Sequence, residues 1–171
     1  MRFERVEYQN FSKDMRKWYP LLHDATDGYL SKILGAVKKP ARSSRGSAGY
    51  DFCLPIGVKI HAGEKVVVPS GFRAVFREDE MDTWHLEIFA RSSAGIIKDT
   101  NLPNGTGIID ADYYMSDNGG DILLALKNNG EHTVIFREGE RVCQGIFKIH
   151  GITEDDEVHG VRTGGVGSTG K

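Results

Sequence analysis

Five short segments of the sequence combine glycine with polar or charged side chains suited to holding phosphate groups. In chain order they read GSAGYDF (46–52), ARSSAG (90–95), NGTGIIDADY (104–113), GERVCQG (139–145) and RTGGVGSTGK (162–171). Guanidinium groups bind phosphate oxygens through paired hydrogen bonds, and hydroxyl and backbone donors add further contacts. Together the segments supply the parts for handling a nucleoside polyphosphate.

The phosphate-binding candidates in these segments are two arginines, an amide and several hydroxyls, namely Arg91, Arg162, Gln144, Ser92, Ser93, Ser168 and Thr169. The carboxylates Asp51, Asp110 and Asp112 offer the hard oxygen ligands that Mg²⁺ prefers, or one of them a base that activates a water. One segment alone is weak evidence of phosphate binding, because an Arg-Ser-Ser triplet is usually a loop and a glycine-rich tail is usually just flexible. The prediction rests on all five together.

The elements that must position these segments are predicted to be β-strands. From Ser47 onward, short apolar or alternating runs are separated by Gly, Pro, Asn and Asp. Strands are expected at 49–53, 57–60, 65–68, 72–76, 85–89, 108–109, 121–126, 133–136 and 141–149. No segments of helical period separate them, so parallel crossovers are not expected. The prediction is an all-β fold, an antiparallel sandwich or jelly roll.

The first part of the chain follows a different pattern. Residues 2–8 nearly alternate and predict an edge strand. Ser12 is then a candidate N-cap for a short helix that carries Met15 and Trp18 and ends near Pro20.

A second helix is predicted from Asp24, and Gly35 supplies its end. Its apolar face would be formed by Tyr29, Leu30, Ile33 and Leu34. We interpret the two helices as an N-terminal helical hairpin packed on the outside of the domain. Packing is its expected role, with a functional role as the alternative.

At 171 residues the chain fits a single domain. We divide it into an N-terminal strand and helical hairpin (1–45), a β core (46–150) and a mobile C-terminal arm (151–171). The net charge of -2 argues against a general nucleic-acid binder, which needs a basic surface. Neither a signal peptide nor an apolar run of about 18 residues is present, so we expect a cytoplasmic protein without membrane contact. Cys53 and Cys143 are expected to be buried thiols.

The order and spacing of the five segments resemble the motifs of the trimeric dUTPase family over 46–171. The longer loop at 112–120 and the segment 152–158 are similar to the bacterial or phage type. This resemblance implies dUTP diphosphatase activity, the hydrolysis of dUTP to dUMP and pyrophosphate, which keeps uracil out of DNA and supplies dUMP for thymidylate synthesis. It also implies a homotrimer with shared active sites, in which the C-terminal tail reaches a neighbouring subunit's pocket.

The resemblance also implies a role for each matching residue. Asp51 would help hold a hydrated Mg²⁺ through water. The phosphate chain would be bound by Arg91, Ser92, Ser93 and Gln144, whereas Arg141 is expected to form a structural ion pair. Arg162 would neutralise the γ-phosphate, and the nucleotide would be wrapped by Gly167, Ser168 and Thr169. A tail that closes in this way excludes water and positions the triphosphate.

The third motif should form the deoxyuridine pocket. The uracil would be contacted by Asn104, by the backbone of Gly107, Ile108 and Ile109, and by the backbone of Leu123. Asp110 would be the catalytic residue, which orients and deprotonates the water that attacks the α-phosphorus in line. The ring of Tyr113 would lie beneath the deoxyribose and leave no room for the 2′-hydroxyl of UTP.

Val166 departs from the family pattern, because most members have an aromatic residue there that stacks on the uracil. Stacking of a base on an aromatic ring contributes about 1 to 3 kcal/mol. Its loss is expected to raise the Michaelis constant without abolishing hydrolysis.

Two other functions are alternatives to dUTP hydrolysis. The dCTP deaminases share the fold and an Arg-Ser-Ser motif, but their reaction needs a Glu on the strand after the third motif, where this chain has Ala125. The His85-Leu86-Glu87 triplet mimics the zinc deaminase motif, but it has no P-C-x-x-C partner and fits a strand. The other alternative is a regulatory protein that binds the nucleotide as a signal. The presence of Asp51, Arg91, Asp110 and Arg162 favours catalysis.

Overall fold

The computed structural model of the chain describes residues 1–158, 160, 162, 164 and 165. Two helices lie near its N-terminus, α1 (Tyr8–Trp18) and α2 (Asp27–Ala36). The strands are β1 (Arg2–Arg5), β2 (Ala41–Arg42), β3 (Tyr50–Cys53), β4 (Val58–Ile60), β5 (Lys65–Pro69), β6 (Phe72–Val75), β7 (Trp84–Ala90), β8 (Thr100–Asn101), β9 (Gly107–Ile109), β10 (Leu123–Asn128), β11 (Val134–Phe136) and β12 (Arg141–Ile149).

The strands pair antiparallel throughout the described sheets. The largest sheet has the order β2-β3-β12-β7-β9, and a second sheet has the order β5-β10-β8. Two further pairs, β1 with β6 and β11 with β4, complete the arrangement. The predicted all-β, jelly-roll-like fold with an N-terminal helical insertion is confirmed.

The alternation of side chains along the strands produces the core. In β10 the residues Leu124 and Leu126 are fully buried, whereas the intervening Ala125 is partly exposed. This period of two is the pattern from which the strands were predicted, and each of the nine predicted strands is present with small shifts of its ends. The strand expected at 121–126 begins only at Leu123. Asp121 instead accepts a hydrogen bond from Gly71 N at 2.9 Å, which holds it in the preceding turn.

The N-terminal boundaries differ from the prediction. The strand expected at 2–8 ends at Arg5, because α1 already begins at Tyr8. Ser12 is therefore not an N-cap. It lies inside α1, where its hydroxyl donates a hydrogen bond to the backbone carbonyl of Gln9 at 3.2 Å.

The second helix begins at Asp27, capped by Thr26, whose hydroxyl accepts from Tyr29 N at 3.3 Å. Gly35 does not end the helix, which runs on to Ala36. Three of the four predicted apolar-face residues are buried, but Tyr29 is 50% exposed. The prediction placed it on the buried face because position 29 lies about 40° from Ile33 on the helical wheel, at the edge of the apolar stripe.

The helices pack on the β-structure through side chains that are completely buried, Phe11 and Met15 from α1 and Leu30 from α2. No helix among the described residues is long and apolar enough to cross a membrane. Both cysteines are free. Cys143 is buried, and burial raises the pKa of its thiol to about 12. Cys53 is only partly buried, so the expectation of two buried thiols was wrong for that residue, which lies near the end of β3.

Candidate active site

A cavity of about 420 Å³ lies between β9, β10 and the loop that follows β8. It brings together most of the residues assigned to the nucleoside by sequence, namely Asn104, Gly107, Ile108, Ile109, Tyr113 and Leu123. We refer to it, after that prediction, as the nucleoside cavity. Ala125 and Trp18 also line it. The volume falls in the range of small-molecule sites, which is about 300 to 1,000 Å³.

The backbone of β9 is suited to reading a base edge. In the described sheet β9 is the last strand and pairs only with β7, through Leu86 with Ile109 and Ile88 with Gly107. An edge strand presents N–H and C=O groups on its outer side that no neighbouring strand uses. Gly107 lets β9 lie close against β7, because a Cβ at position 107 would stand 3.3 Å from the Cβ of Ile88.

Tyr113 forms the buried side of the cavity and is held by the loop that follows it. Its hydroxyl donates to the carbonyl of Asp121 at 3.4 Å and accepts from Asn118 Nδ2 at 3.3 Å. Burial raises the pKa of Tyr113 to about 12, so the phenol stays neutral. The same Asn118 amide donates to Asp14 Oδ2 of α1 at 3.0 Å. Asn118 thus connects the third-motif loop, the ring of Tyr113 and the N-terminal helix.

Asp110 follows β9 and contacts the described part of the tail. Its side chain is 51% exposed, and its Oδ2 forms an ion pair with Arg162 Nη2. The Nε of the same guanidinium donates to Asp112 Oδ1 at 2.7 Å. Arg162 also lies over the ring of Tyr113, 5.6 Å from the centroid. In the single chain, the tail arginine that was expected to reach a neighbour therefore contacts the third motif of its own chain.

A second cavity, of about 450 Å³, is lined in part by Asp110. Ile108 lines both cavities. Two histidines, His85 and His150, line the second one, with their Nδ1 atoms 3.2 Å apart. Asp110 is therefore accessible to solvent from this cavity.

The first, second and fourth motifs meet elsewhere, through strand pairing. Gln144 of β12 pairs with Asp51 of β3, and Arg91 N donates to the carbonyl of Val142 in β12 at 2.9 Å. The carboxylate of Asp51 lies 3.2 Å from Arg91 Nε and 3.2 Å from Arg141 Nη1. The predicted structural ion pair of Arg141 is thus present. We refer to Asp51, Arg91, Arg141 and Gln144 as the phosphate cluster, after the phosphate-binding role that the sequence predicts for Arg91 and Gln144.

Within the phosphate cluster, the amide of Gln144 lies over Gly49. A Cβ at position 49 would stand 2.5 Å from Gln144 Oε1, so only glycine leaves the amide its present place. Ser92 and Ser93 follow Arg91 at the start of a helical turn, Ser93–Ile97, whose first amides are bound by the carbonyl of Arg91. Ser92 is exposed and Ser93 is partly exposed, directly after Arg91 of the cluster in the chain.

The single chain does not bring the phosphate cluster to the nucleoside cavity. Among the described residues lining the two cavities, Asp51, Arg91 and Gln144 are absent. Ile109 pairs with Leu86, so the next residue, Asp110, lies beside His85 near the start of β7. Arg91 comes six residues after His85, directly after the last residue of β7. At 3.3 Å per residue the two are separated by roughly 20 Å.

Four predicted tail contacts, those of Val166, Gly167, Ser168 and Thr169, lie outside the described residues. Among the residues that are described, no three His, Cys, Asp or Glu side chains converge so as to hold a metal ion. Asp51 is the carboxylate of the phosphate cluster, and two guanidinium groups already contact its oxygens. A Mg²⁺ that shares its ligands with substrate phosphates and waters needs only one or two protein carboxylates, so this donor set fits an ion held through water.

Sequence reasoning missed three residues of this region. Trp18 was placed on a packing helix, and His150 was given no role. Asn118 was treated only as part of a longer loop. Each meets the site through contacts distant in the chain, for example 104 residues between Asn118 and Asp14, and no local spacing signals such a contact.

Comparisons with known proteins find a matching family and similar sequences. Residues 36–170 match the family model described as dUTPase. The deoxyuridine 5′-triphosphate nucleotidohydrolase of Lactococcus lactis is 37% identical over 137 residues, which cover 78% of this chain and 89% of that protein.

Solved structures are similar as well. The crystal structure of the dUTPase from Streptococcus mutans has a TM-score of 0.65 and 31% identity, and the match covers 90% of this chain and 99% of that one. A mutant dUTPase of phage phi11 of Staphylococcus aureus, described with a structural Mg(II) ion, has a TM-score of 0.58 and 19% identity, covering 72% and 91%. The second similarity concerns the fold alone.

Proposed function

Since this chain belongs to the dUTPase family, we propose that it hydrolyses dUTP to dUMP and pyrophosphate. The observation that carries the proposal is the nucleoside cavity, which gathers the third-motif residues beside Asp110. These residues lie within 36–170, the range that matches the dUTPase family model, and the cavity has the size of a small-molecule site.

Uracil recognition is assigned to the free edge of β9 and to Asn104. Uracil presents an N–H flanked by two carbonyl groups, so alternating backbone donors and acceptors can bind it and leave cytosine with mismatched groups. Leu123 closes the cavity from β10. Tyr113, buried and neutral, is assigned the face of the deoxyribose, where its ring leaves no room for a 2′-hydroxyl.

Asp110 is the proposed base. Its carboxylate is half exposed beside an open cavity, so a water can reach it and the α-phosphorus together. The water would give its proton to Asp110 as its oxygen bonds to phosphorus, and pyrophosphate would leave on the opposite side. Positioning and charge neutralisation provide most of the remaining catalysis in phosphoryl transfer.

The phosphate cluster is assigned the binding of the triphosphate. The distance between this cluster and Asp110 within one chain supports an assembly of several copies of the chain. One chain places Arg91 roughly 20 Å along β7 from Asp110, too far for one nucleotide's α-phosphate to be served by both. We therefore propose a homotrimer in which one subunit provides the nucleoside cavity and another the phosphate cluster. Arg162 would exchange its carboxylate partners for the γ-phosphate. The chain would act as a single domain, with 151–171 as its arm.

Mg²⁺ is the proposed cofactor. Asp51 would hold the hydrated ion through water beside Arg91 and Gln144. When bound, the ion neutralises charge on the phosphate oxygens and orients the triphosphate. Arg141 keeps Asp51 in place through its ion pair at 3.2 Å.

The deaminase alternative is disfavoured by the cavity itself. Ala125 lines it at the position where a deaminase would need a carboxylate. A methyl group cannot transfer the protons that deamination requires.

The test is a substrate panel of dUTP, dCTP, dTTP and UTP with Mg²⁺, in which pyrophosphate and ammonia are both measured. We expect pyrophosphate from dUTP, with kcat/KM at least about 10²-fold above that for UTP, the scale of discrimination by shape. Ammonia from dCTP would instead indicate a deaminase. Tight dUTP binding without turnover would indicate a regulatory protein and would contradict the proposal.

A further inference from the structure

The N-terminal helix α1 contributes Trp18 to the wall of the nucleoside cavity. Trp18 is the last residue of α1 and is partly exposed. It also lines a small adjoining groove, which it shares with Leu123 and with Gly165 of the tail. Trp18 therefore stands where the nucleoside cavity, β10 and the C-terminal tail meet.

Trp18 is the more exposed of the aromatic residues that line the cavity among those the structure describes. Among the described lining residues the aromatic rings are those of Trp18 and Tyr113. Tyr113 is only 6% exposed. Nucleobases stack on aromatic faces irrespective of sequence, because every base has a π-face. The next tail residue after Gly165 is the aliphatic Val166, which cannot stack.

Helix α1 is held firmly enough to position this ring. Phe11 and Met15 anchor it in the core with no exposed surface. Asp14, four residues before Trp18, lies on the same face of the helix and accepts the hydrogen bond of Asn118 at 3.0 Å. Asp14 and Trp18 thus both face the third-motif loop. Asp14 is hydrogen-bonded to it through Asn118, and the indole of Trp18 lines a groove beside it.

Two further contacts restrain the end of the helix. Arg16 Nη2 donates to Asp27 Oδ1 at 2.7 Å and so ties α1 to α2. Lys17 Nζ stands 4.8 Å from the centroid of the Trp18 ring, a cation–π contact that limits its rotation. A ring fixed before the ligand arrives loses little entropy on binding.

We propose that Trp18 is a nucleoside-binding residue, whose indole packs against the uracil base at the mouth of the cavity. The identity of the base rests on the proposed function. The N-terminal helical hairpin then serves substrate binding in addition to packing, and the chain obtains from its N-terminal part an aromatic contact that Val166 does not provide.

The test is equilibrium binding of dUMP, measured by calorimetry, to the wild type and to Trp18→Ala and Trp18→Phe. Trp18→Ala should weaken dUMP binding about 5- to 150-fold, equivalent to about 1 to 3 kcal/mol at 1.4 kcal/mol per tenfold. Trp18→Phe keeps a ring and should recover most of the loss. In turnover of dUTP, Trp18→Ala should raise KM by a similar factor and change kcat little.

Gln9→Ala, an exposed change on the same helix, is the matched control and should bind dUMP as the wild type does. Binding of 2-deoxyribose 5-phosphate, which lacks the base, should be equal in the wild type and Trp18→Ala. Unchanged dUMP binding in Trp18→Ala would overturn the proposal. So would equal losses in Trp18→Ala and Trp18→Phe together with a lower melting temperature, since Trp18 would then only support α1.

A fluorescence measurement separates this inference from the proposed function. Trp84→Phe leaves Trp18 as the single tryptophan, and dUMP should change its emission in a saturable way. No turnover is needed, so a protein that binds dUMP but does not hydrolyse dUTP would contradict the proposed activity and leave the role of Trp18 standing. A protein that hydrolyses dUTP with unaltered Trp18 emission would contradict the role of Trp18 alone.

Discussion

Asp110 and Arg91 lie toward opposite ends of β7, Asp110 beside the start of the strand and Arg91 directly after its last residue. The proposed base and the proposed phosphate ligand of one chain are therefore roughly 20 Å apart. A common active site for both requires a second copy of the chain, and this requirement can be tested without a structure of the assembly.

Mixed subunits should restore activity. Asp110→Asn and Arg91→Ala proteins are each expected to be nearly inactive. After unfolding and refolding together in equal amounts, about one quarter of the sites would combine an intact Asp110 with an intact Arg91 from a neighbour, given random assembly in a closed ring. Pyrophosphate release should then recover to about that fraction of wild type. A mixture as inactive as its components would mean that each site uses both residues of one chain.

Gly49→Ala should impair catalysis with little loss of stability. The new Cβ would lie 2.5 Å from Gln144 Oε1, and the flexible amide can move away but then leaves the phosphate cluster. We expect kcat/KM for dUTP to fall about 10-fold or more, the scale of one hydrogen bond to a charged group. Gly46→Ala is the matched control, because nothing lies within 4 Å of its added Cβ. Equal kinetics for both variants would remove Gln144 from phosphate binding.

Arg162→Ala should lower kcat/KM for dUTP by roughly 10³-fold, as the removal of an arginine that neutralises a transferring triphosphate does. Arg162→Lys should retain part of the activity, because a lysine keeps the charge but loses the paired hydrogen bonds. Arg2→Ala, which removes an exposed ion pair with Glu4, is the control for a change of charge. Steady-state kinetics measure all three. A near-normal rate for Arg162→Ala would mean that its contacts with Asp110 and Asp112 are only structural.

The buried carboxyl of Asp121 should make stability depend on pH. Complete burial raises its pKa well above 3.8, and the neighbouring Asp14 adds to the effect. A carboxyl whose pKa is raised in the folded state stabilises the fold below its unfolded pKa, and this contribution is lost as the pH rises through the folded pKa. The free energy of unfolding of the wild type should therefore fall, relative to Asp121→Asn, as the pH increases from below 4.

Urea denaturation from pH 3.5 to pH 8 measures this difference, and the comparison of slopes is insensitive to any uniform cost of the substitution. Asp24→Asn, at an exposed position, serves as the control. Parallel curves for the wild type and Asp121→Asn would contradict the assignment of a raised pKa to Asp121.

The sequence predicted what depends on local periodicity and on motif order. The alternation of apolar side chains in β10 reflects the burial of one face of the strand. This pattern predicted both ends of the strand to within two residues. The prediction of Ser12 as an N-cap was wrong because a serine hydroxyl can also hydrogen-bond to a backbone carbonyl from inside a helix. The N-cap position is taken by Glu7, which has an extended backbone and makes no side-chain capping bond. Trp18 and Asn118 depend on contacts between distant segments, and no pattern within either segment specifies them.

The role of Asp110 as the base is tested most directly by pyrophosphate release from dUTP in the Asp110→Asn variant, with dUTP binding measured alongside. Binding should persist while turnover falls by roughly 10²-fold or more, the scale of losing a general base. Asp82→Asn, a second carboxylate that lines the same cavity, should remain fully active. A turnover close to wild type in Asp110→Asn would contradict the claim that this carboxylate activates the attacking water.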